Sequence, residues 1–594
     1  MIPDSLSFYD ENIPCLAACP VHTNAGMYVA AIADGEDELA YLTARLPNPF
    51  ASVCGRVCAA PCEDACRRGK IDRPIAIRAL KRFVTEQYGP EARAYDYNGQ
   101  APWDKVVAPP DEDRPQRIAV VGGGPAGMAA AHDLRRLGYG VTVFEATDKL
   151  GGAMWLGIPE YRLDRNVLAR DIQAIVDLGV EVRYNTRLGQ DITLEQLRQE
   201  FDAVFLGIGA TLGRGLDIEG AQSDGVFKAI EFLINMNRGF TVDVGERVLV
   251  VGGGDVAMDA ARTALRADVY GDDGKGRASI SDALDVARTA ARAGARDVRV
   301  MSLESREEMP AHDFEVEEAE VEGISFSPRR GPKRILTKDG AVVGIETVGV
   351  TSVFDEDGRF SPTFDESDIQ TFEADTIILA IGQAIDLEAL GDAGPEVSPR
   401  RTIEIDWNTG QTSLADVWSG GDAAKGPRTL IDAVADGRKA AASIHRSFGG
   451  EVPEESMGKM VKLEQFHRLQ DTYDRIDRVE VPTISSGRRI GLTEVEMGFT
   501  PEQARCEASR CLRCFANILL EPEKCVLCAL CADVCPVDVI SLVPANEIDP
   551  SLGEDAGTAL LLDEERCIRC AMCVERCPAD ALSVGMWSGT GVPT

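Results

Sequence analysis

The chain has 594 residues, 44% of them hydrophobic, which suffices for three or four domains with cores of their own. Its 62 Lys and Arg stand against 97 Asp and Glu, and the resulting net charge of −35 repels nucleic acid and anionic membranes while favouring basic protein partners. No apolar run approaches the roughly 18 residues of a membrane span, and Met1-Ile-Pro-Asp-Ser lacks the basic and apolar regions of a signal peptide. The chain is therefore expected to be cytoplasmic, with neither nucleic-acid binding nor membrane insertion.

The first 110 residues read as short helices carrying metal-ligand cysteines. Cys15-x3-Cys19-Pro is followed by Cys54, Cys58, Cys62 and Cys66 at intervals of four. Such intervals put successive thiols along one face if the segment is helical. Disulfides are not expected in this compartment, and the short regular spacings are those of cluster ligands. The charged, proline-rich stretch Ala108 to Pro115 marks the boundary that follows.

Arg117 to Val121 reads as a buried parallel strand that runs into Gly122, Gly124, Pro125, Ala126 and Gly127, a G-x-G-x-x-G turn opening a helix. The first glycine permits the tight turn, the second lets backbone approach a pyrophosphate, and the third packs helix on strand. The next strand ends at Glu145, about twenty residues on, where a ribose hydroxyl is expected. Gly151-Gly152 gives another close-approach turn. A second fingerprint, Gly252, Gly254, Asp255, Val256 and Ala257, follows the strand that starts at Arg247.

Two such folds imply two dinucleotides, and the usual pairing is a flavin with a nicotinamide. Gly421-Asp422 resembles the motif that closes the FAD site of two-dinucleotide flavoproteins, where the acid meets the ribityl chain. A helix starting near Thr429 would offer N–H groups to the flavin pyrimidine edge. The first fold is thus assigned FAD and the second the nicotinamide. FAD-binding segments are expected at 115–245 and 375–448, with Ala374 to Gly382 as the returning strand and 246–374 as an inserted nucleotide domain. Glu304 ends the second strand of the inserted fold. A carboxylate there bonds a free 2′-hydroxyl and repels a phosphate, which favours NADH over NADPH. The alternative is a solvated strand-end acid, since an inserted loop around 268–285 moves Glu304 beyond the usual distance.

Residues 449–520 are polar and mixed, and read as a linker carrying Cys506, Cys511 and Cys514. The last segment, 521–594, holds two copies of one spacing: Cys525, Cys528, Cys531, Cys535-Pro, then Cys567, Cys570, Cys573, Cys577-Pro. This is the bacterial ferredoxin run, in which the fourth cysteine of each copy crosses to the other 4Fe–4S cube. One cube is expected on Cys525, Cys528, Cys531 and Cys577, the other on Cys567, Cys570, Cys573 and Cys535. Structural zinc fits poorly, because zinc sites pair C-x2-C knuckles.

From Cys19-Pro-Val-His, Asn48-Pro-Phe, Cys54-Gly-Arg-Val-Cys58 and Ile75 to Phe83 through Met309-Pro-Ala to Gly421-Asp422, the chain is similar to one family. It resembles the small subunit of bacterial glutamate synthase and the N-terminal half of dihydropyrimidine dehydrogenase, over about residues 13–448. The resemblance implies a helical cluster domain, FAD and a nicotinamide site. Relatives tend to carry two arginines where this chain has Leu303-Glu304. They also have a Cys-Leu-x-Cys pair ahead of the position of Cys15, which with the counterparts of Cys15 and Cys66 holds a cluster. Here that pair is absent, and Cys511-Leu-Arg-Cys514 is the expected replacement, folding back to join Cys15 and Cys66. The resemblance then leaves Cys19, Cys58 and Cys62 for the flavin-proximal cube. Its fourth ligand, a glutamine in the relative, aligns with Lys81, and Cys54 is the available substitute. Cys506, Cys511 and Cys514 as plain linker thiols is the competing reading.

The expected architecture is multidomain: a helical iron–sulfur domain, two Rossmann-like α/β folds with the second inserted in the first, and an α+β ferredoxin-like domain. The expected function is an NADH:acceptor oxidoreductase, in which a hydride reaches flavin and single electrons leave through the cubes. Ferredoxin or a larger redox enzyme is the expected partner, such as a 2-oxoacid:ferredoxin oxidoreductase or dissimilatory sulfite reductase. No general acid or base is assigned; His22, His132, His312, His445 and His467 read as surface or packing residues. The alternatives are a glutamate synthase small subunit-like chain using NADPH and a redox-inactive scaffold.

Overall fold

Short apolar strands that end in glycine turns build the two parallel sheets. The first takes the order 417–419, 203–206, 117–121, 140–144, 181–183, every neighbour parallel. Three of these strands, Ile118 to Val121, Val141 to Phe144 and Ala203 to Leu206, are buried throughout, as parallel strands covered on both faces must be. Helix Pro125–Arg136 packs against helix Leu430–Ser447. Gly437 makes that contact possible, since a β-carbon there would sit 2.1 Å from the Ala126 carbonyl oxygen.

The second sheet runs 226–228, 376–379, 247–251, 297–301, 325–327, again all parallel. Here the structure corrects the sequence reading. Strand Thr376–Leu379, expected to return the chain to the first sheet, pairs with Arg247–Val251 and Val226–Lys228 instead. The second fold thus begins near 226 and ends beyond 379, and the chain rejoins the first sheet only at Val417–Ser419. Both strands are short, apolar and followed by glycine, so composition could not tell which sheet each would join. A three-stranded antiparallel sheet, 330–338, 341–354 and 360–373, lies within the same insertion.

The computed structural model describes residues 11–92, 113–240, 242–266, 295–451, 459–462, 475–489, 491–553 and 555–588. The loop expected around 268–285 and His467 lie outside them. The chain divides into two units: 109–448 with 483–497, and 1–108 with 449–482 and 498–594.

The second of these units corrects the linker. Ala516–Leu520 pairs with Leu582–Ser588, which also pairs with Lys459–Lys462, so this stretch is part of the ferredoxin sheet. A separate hairpin joins Ile540–Pro544 to Thr558–Leu562. Helices Ala25–Asp34, Asp37–Arg45, Ala51–Val57 and Ile77–Tyr88 form the N-terminal part, and one apolar core runs from them through Phe499, Ala504 and Phe515 into Val539 and Val574.

Candidate functional site

In the first sheet the Gly122 turn has φ 98°, and a β-carbon at Gly127 would lie 1.9 Å from the Gly122 oxygen. Gly124 and Gly152 face each other so closely that a β-carbon on Gly152 would stand 2.8 Å from the Gly124 Cα. Together they leave a cradle of bare backbone ahead of a helix N-terminus, suited to a pyrophosphate. Glu145, 6% exposed, accepts hydrogen bonds from the Gly123 N–H at 2.9 Å and from the Thr147 N–H and hydroxyl at 2.8 Å each. These bonds lock the carboxylate beside the turn, where an adenosine ribose fits.

Across the sheet, Gly421 (φ 64°) starts the turn Asp422–Lys425, its N–H donating to Asp436 at 3.1 Å. Burial pushes the Asp422 carboxyl up to about 6 despite the Arg428 N–H beside it. A sugar hydroxyl donor would satisfy it. Thr429 caps helix Leu430–Ser447, exchanging hydrogen bonds with Asp432. Donors, acceptor and cradle fit FAD.

The second turn repeats the first. Gly252 has φ 145°, and a β-carbon on it would meet the Ala380 oxygen at 2.3 Å. A β-carbon on Gly254 would meet nothing within 4 Å, leaving the approach to helix Asp255–Ala264 open. Glu304 stands over this turn as Glu145 stands over the first: a β-carbon on Gly253 would lie 2.9 Å from its Oε2, and one on Gly123 would lie 3.0 Å from the Glu145 Oε2. His312, read from the sequence as a surface or packing residue, instead donates its backbone N–H to the Asp255 Oδ1 at 3.0 Å, with its Nδ1 2.8 Å from Oδ2. Burial pushes the Asp255 carboxyl up, but the His312 contacts outweigh this and hold it below its usual range. Met309-Pro-Ala, noted as a family marker, was the only signal pointing there.

The cysteines collect into four groups. A cavity is lined by Cys525, Cys528, Cys531 and Cys577, with Val526, Leu527, Leu560 and Leu582 among its walls. Cys573 and Cys570 both feel Cys567 and Cys535 electrostatically, so the crossed partner lies with the second run; burial pushes the Cys573 thiol up to about 12. The two runs share their backbone: Leu527 and Arg569, Ala529 and Ala571, Asp538 and Asp580 all have left-handed φ. Such alternation turns successive N–H groups toward an anion. The Val539 N–H donates to Cys535 Sγ at 3.4 Å and the Ala581 N–H to Cys577 Sγ at 3.2 Å.

A third group joins distant parts of the sequence. Burial pushes the Cys15 thiol well up, and the thiols adding to this are Cys514, Cys511, Cys66 and Cys62. Buried salt bridges explain the folding back. Glu507 and Arg510, both fully buried, pair at 2.7 Å. Glu507 accepts the Ala76 and Val479 N–H groups at 2.8 Å each, and Arg510 reaches Asp72 at 2.8 Å and the Arg73 carbonyl at 2.6 Å. Arg505 adds a bidentate contact to Asp37 at 2.6 Å. Cys506 is exposed and takes no part.

The fourth group surrounds Lys81. This lysine is 7% exposed, and burial, which would lower its ammonium, is outweighed by Cys54, Cys19, Cys58 and Cys62. Cys54 hydrogen-bonds Cys58, which lowers the Cys58 thiol to about 6. Among the described residues no three His, Cys, Asp or Glu converge to hold a single metal ion. A 4Fe–4S cube is held differently, by four thiolates that each bind a different iron.

Residues 116–437 match the pyridine nucleotide-disulphide oxidoreductase family, more than half of the chain. The chain belongs to this family. Residues 9–92 match the dihydropyrimidine dehydrogenase domain II 4Fe–4S model, and 524–581 a 4Fe–4S dicluster domain. The chain is 36% identical over 528 residues to the NADP(+)-dependent formate dehydrogenase subunit beta of Moorella thermoacetica, covering 84% of this chain and 70% of that one. It is 33% identical to the NADPH-Fe(3+) oxidoreductase subunit beta of Geobacter sulfurreducens (84% and 75% covered), and 30% identical to the glutamate synthase [NADPH] small chain of Azospirillum brasilense (73% and 85%). This oxidoreductase uses NAD(P)H, FAD and 4Fe–4S clusters, and moves electrons among them. No described helix is long and apolar enough to cross a membrane.

Proposed function

We propose that this oxidoreductase is a cytoplasmic electron-input chain that prefers NADH, and that it passes single electrons through four cubes to ferredoxin or a larger redox enzyme. Glu304 carries the nucleotide preference: its carboxylate beside Gly253 suits a ribose diol and opposes a 2′-phosphate. The arginines at this strand end are engaged elsewhere, Arg306 with Asp313 at 3.3 Å and Arg329 with Glu308 at 2.6 Å. Gly252, Gly254, Asp255, Val256 and Ala257 would hold the pyrophosphate. Gly122, Gly124, Pro125, Ala126, Gly127, Glu145, Gly152, Gly421, Asp422 and Thr429 would hold FAD. FAD takes electrons as a pair and gives them up singly.

The cubes would be held by Cys525, Cys528, Cys531 and Cys577; by Cys567, Cys570, Cys573 and Cys535; by Cys15, Cys66, Cys511 and Cys514; and by Cys19, Cys58 and Cys62 with Cys54. The partner would dock at the first of these, where Cys528 is exposed beside Val526 and Leu527, 66% and 42% exposed. The names of the relatives, beta subunits and a small chain, support service to a larger enzyme. A 2-oxoacid:ferredoxin oxidoreductase or dissimilatory sulfite reductase is the class of partner.

The test is rapid-mixing reduction of the anaerobic protein with each nucleotide. NADH should exceed NADPH in kcat/KM at least tenfold, and Glu304→Gln should narrow the ratio about tenfold, the worth of one charge-assisted hydrogen bond. A wild-type preference for NADPH that Glu304→Gln leaves unmoved would end this reading.

A further inference from the structure

Two buried arginines lie between the third cysteine group and the second ferredoxin run. Arg67, 4% exposed, directly follows Cys66. Its guanidinium hydrogen-bonds Cys514, while Nε and Nη1 are buried without a hydrogen-bond partner. Arg569, 1% exposed, lies between Cys567 and Cys570, pairs with Glu564, and donates from Nη2 to Asn517 at 3.3 Å. Cys514 and Cys567 act electrostatically on both arginines. Lys70, at the end of the Arg67 turn, reaches the Glu565 carbonyl at 3.2 Å and ties that turn to the ferredoxin loop.

Glu564 acts on Arg67 as well but is paired with Arg569, so two buried cations that repel each other share one carboxylate and call for further negative charge. A cube with four thiolate ligands supplies it, and gains negative charge on reduction. By contrast, the cavity of Cys525, Cys528, Cys531 and Cys577 has only cysteine and aliphatic walls.

We propose that Arg67 and Arg569 form a cationic junction between the cube of Cys15, Cys66, Cys511 and Cys514 and the cube of Cys567, Cys570, Cys573 and Cys535, where electrons enter the ferredoxin module. This rests on the ligand sets given under Proposed function. The step moves one electron drawn from NAD(P)H, and no bond or proton changes hands. The cations favour the reduced state on both sides of the junction. The aliphatic-walled cube lacks that help and is left as the exit.

The test is a redox titration of the full-length holoprotein followed by electron paramagnetic resonance, with iron counted in parallel. Arg67→Gln should keep its iron and shift the reduction equilibrium of the junction cubes about tenfold toward the oxidised state, ~59 mV for one electron. At least one other cube should not move, and Arg67→Lys should restore most of the shift. Arg569→Gln combined with Glu564→Gln removes the second cation without stranding its carboxylate, and should shift the same cubes in the same direction. Fully loaded variants with every potential unmoved, or with all potentials moved equally, would overturn the junction. Failure of the ligand sets reads differently: Cys511→Ala with Cys514→Ala would then leave iron content intact.

Discussion

A β-carbon at Gly127 would fall 1.9 Å from a backbone oxygen, whereas one at Gly254 would meet no protein atom within 4 Å. Gly127 closes the first fingerprint and Gly254 is the middle glycine of the second, and substitution should do opposite things. Gly127→Ala must push helix from strand, at a cost of roughly 1–3 kcal/mol or more, and should lower both FAD content and melting temperature. Gly254→Ala should fold and keep its FAD while raising KM for the nicotinamide roughly tenfold, because its methyl occupies the space left for pyrophosphate. An unchanged KM would show that the nucleotide does not approach there. The fingerprint glycines and both strand-end acids were legible in sequence, since their spacing encodes backbone geometry. His312 and Arg67 were not, because nothing local distinguishes a buried, site-facing His or Arg from an exposed one.

Helices Asp255–Ala264 and Asp313–Val321 are held together by a buried set of charges that no pattern announces. Arg162 reaches Asp259 at 2.7 Å and also pairs with Glu315. Arg262 reaches Glu315 and Glu322 at 3.1 and 2.9 Å, Arg266 reaches Glu322 at 2.7 Å, and both guanidiniums stack over Tyr161 at 5.1 and 4.1 Å. Arg489, from 483–497, closes the set on Glu318. Burial pushes the Glu322 carboxyl up, but hydrogen bonds from Arg266 and Arg262 outweigh it and hold it at about 2. A lowered acid stabilises the fold above its unfolded value near 4.5 and loses that contribution as pH falls toward 2, up to ~3 kcal/mol for such a shift. The protection factors of the amides across 313–321, corrected for intrinsic exchange at each pH, should therefore fall below about pH 4.5 in the wild type. In Glu322→Gln they should be low already at neutral pH, with little further acid response. Equal exchange at pH 7 would show that the pair contributes nothing. The element-scale error, strand Thr376–Leu379, has a similar origin: sheet membership is a pairing decision between strands of equal composition.

The cluster-bearing unit is assembled from 1–108 and from two later stretches, 449–482 and 498–594, that begin more than three hundred residues further along the chain. Cys511→Ala with Cys514→Ala should remove one cube, about four iron atoms per chain, and one signal in electron paramagnetic resonance. Full iron with every signal retained would return those thiols to the status of linker residues. Sequence by itself determined what is encoded in spacing: two dinucleotide turns, the ferredoxin run and hence the cofactor classes, because a glycine's backbone freedom and a cysteine's reach act over a few residues. Tertiary structure alone decided which strands share a sheet, why residues 505–514 turn back to the N-terminal helices, and that Arg67 and Arg569 are buried near the cysteines. Those outcomes depend on burial and on ion pairs such as Arg510 with Asp72, whose partners are hundreds of positions apart and become neighbours only once the core has formed.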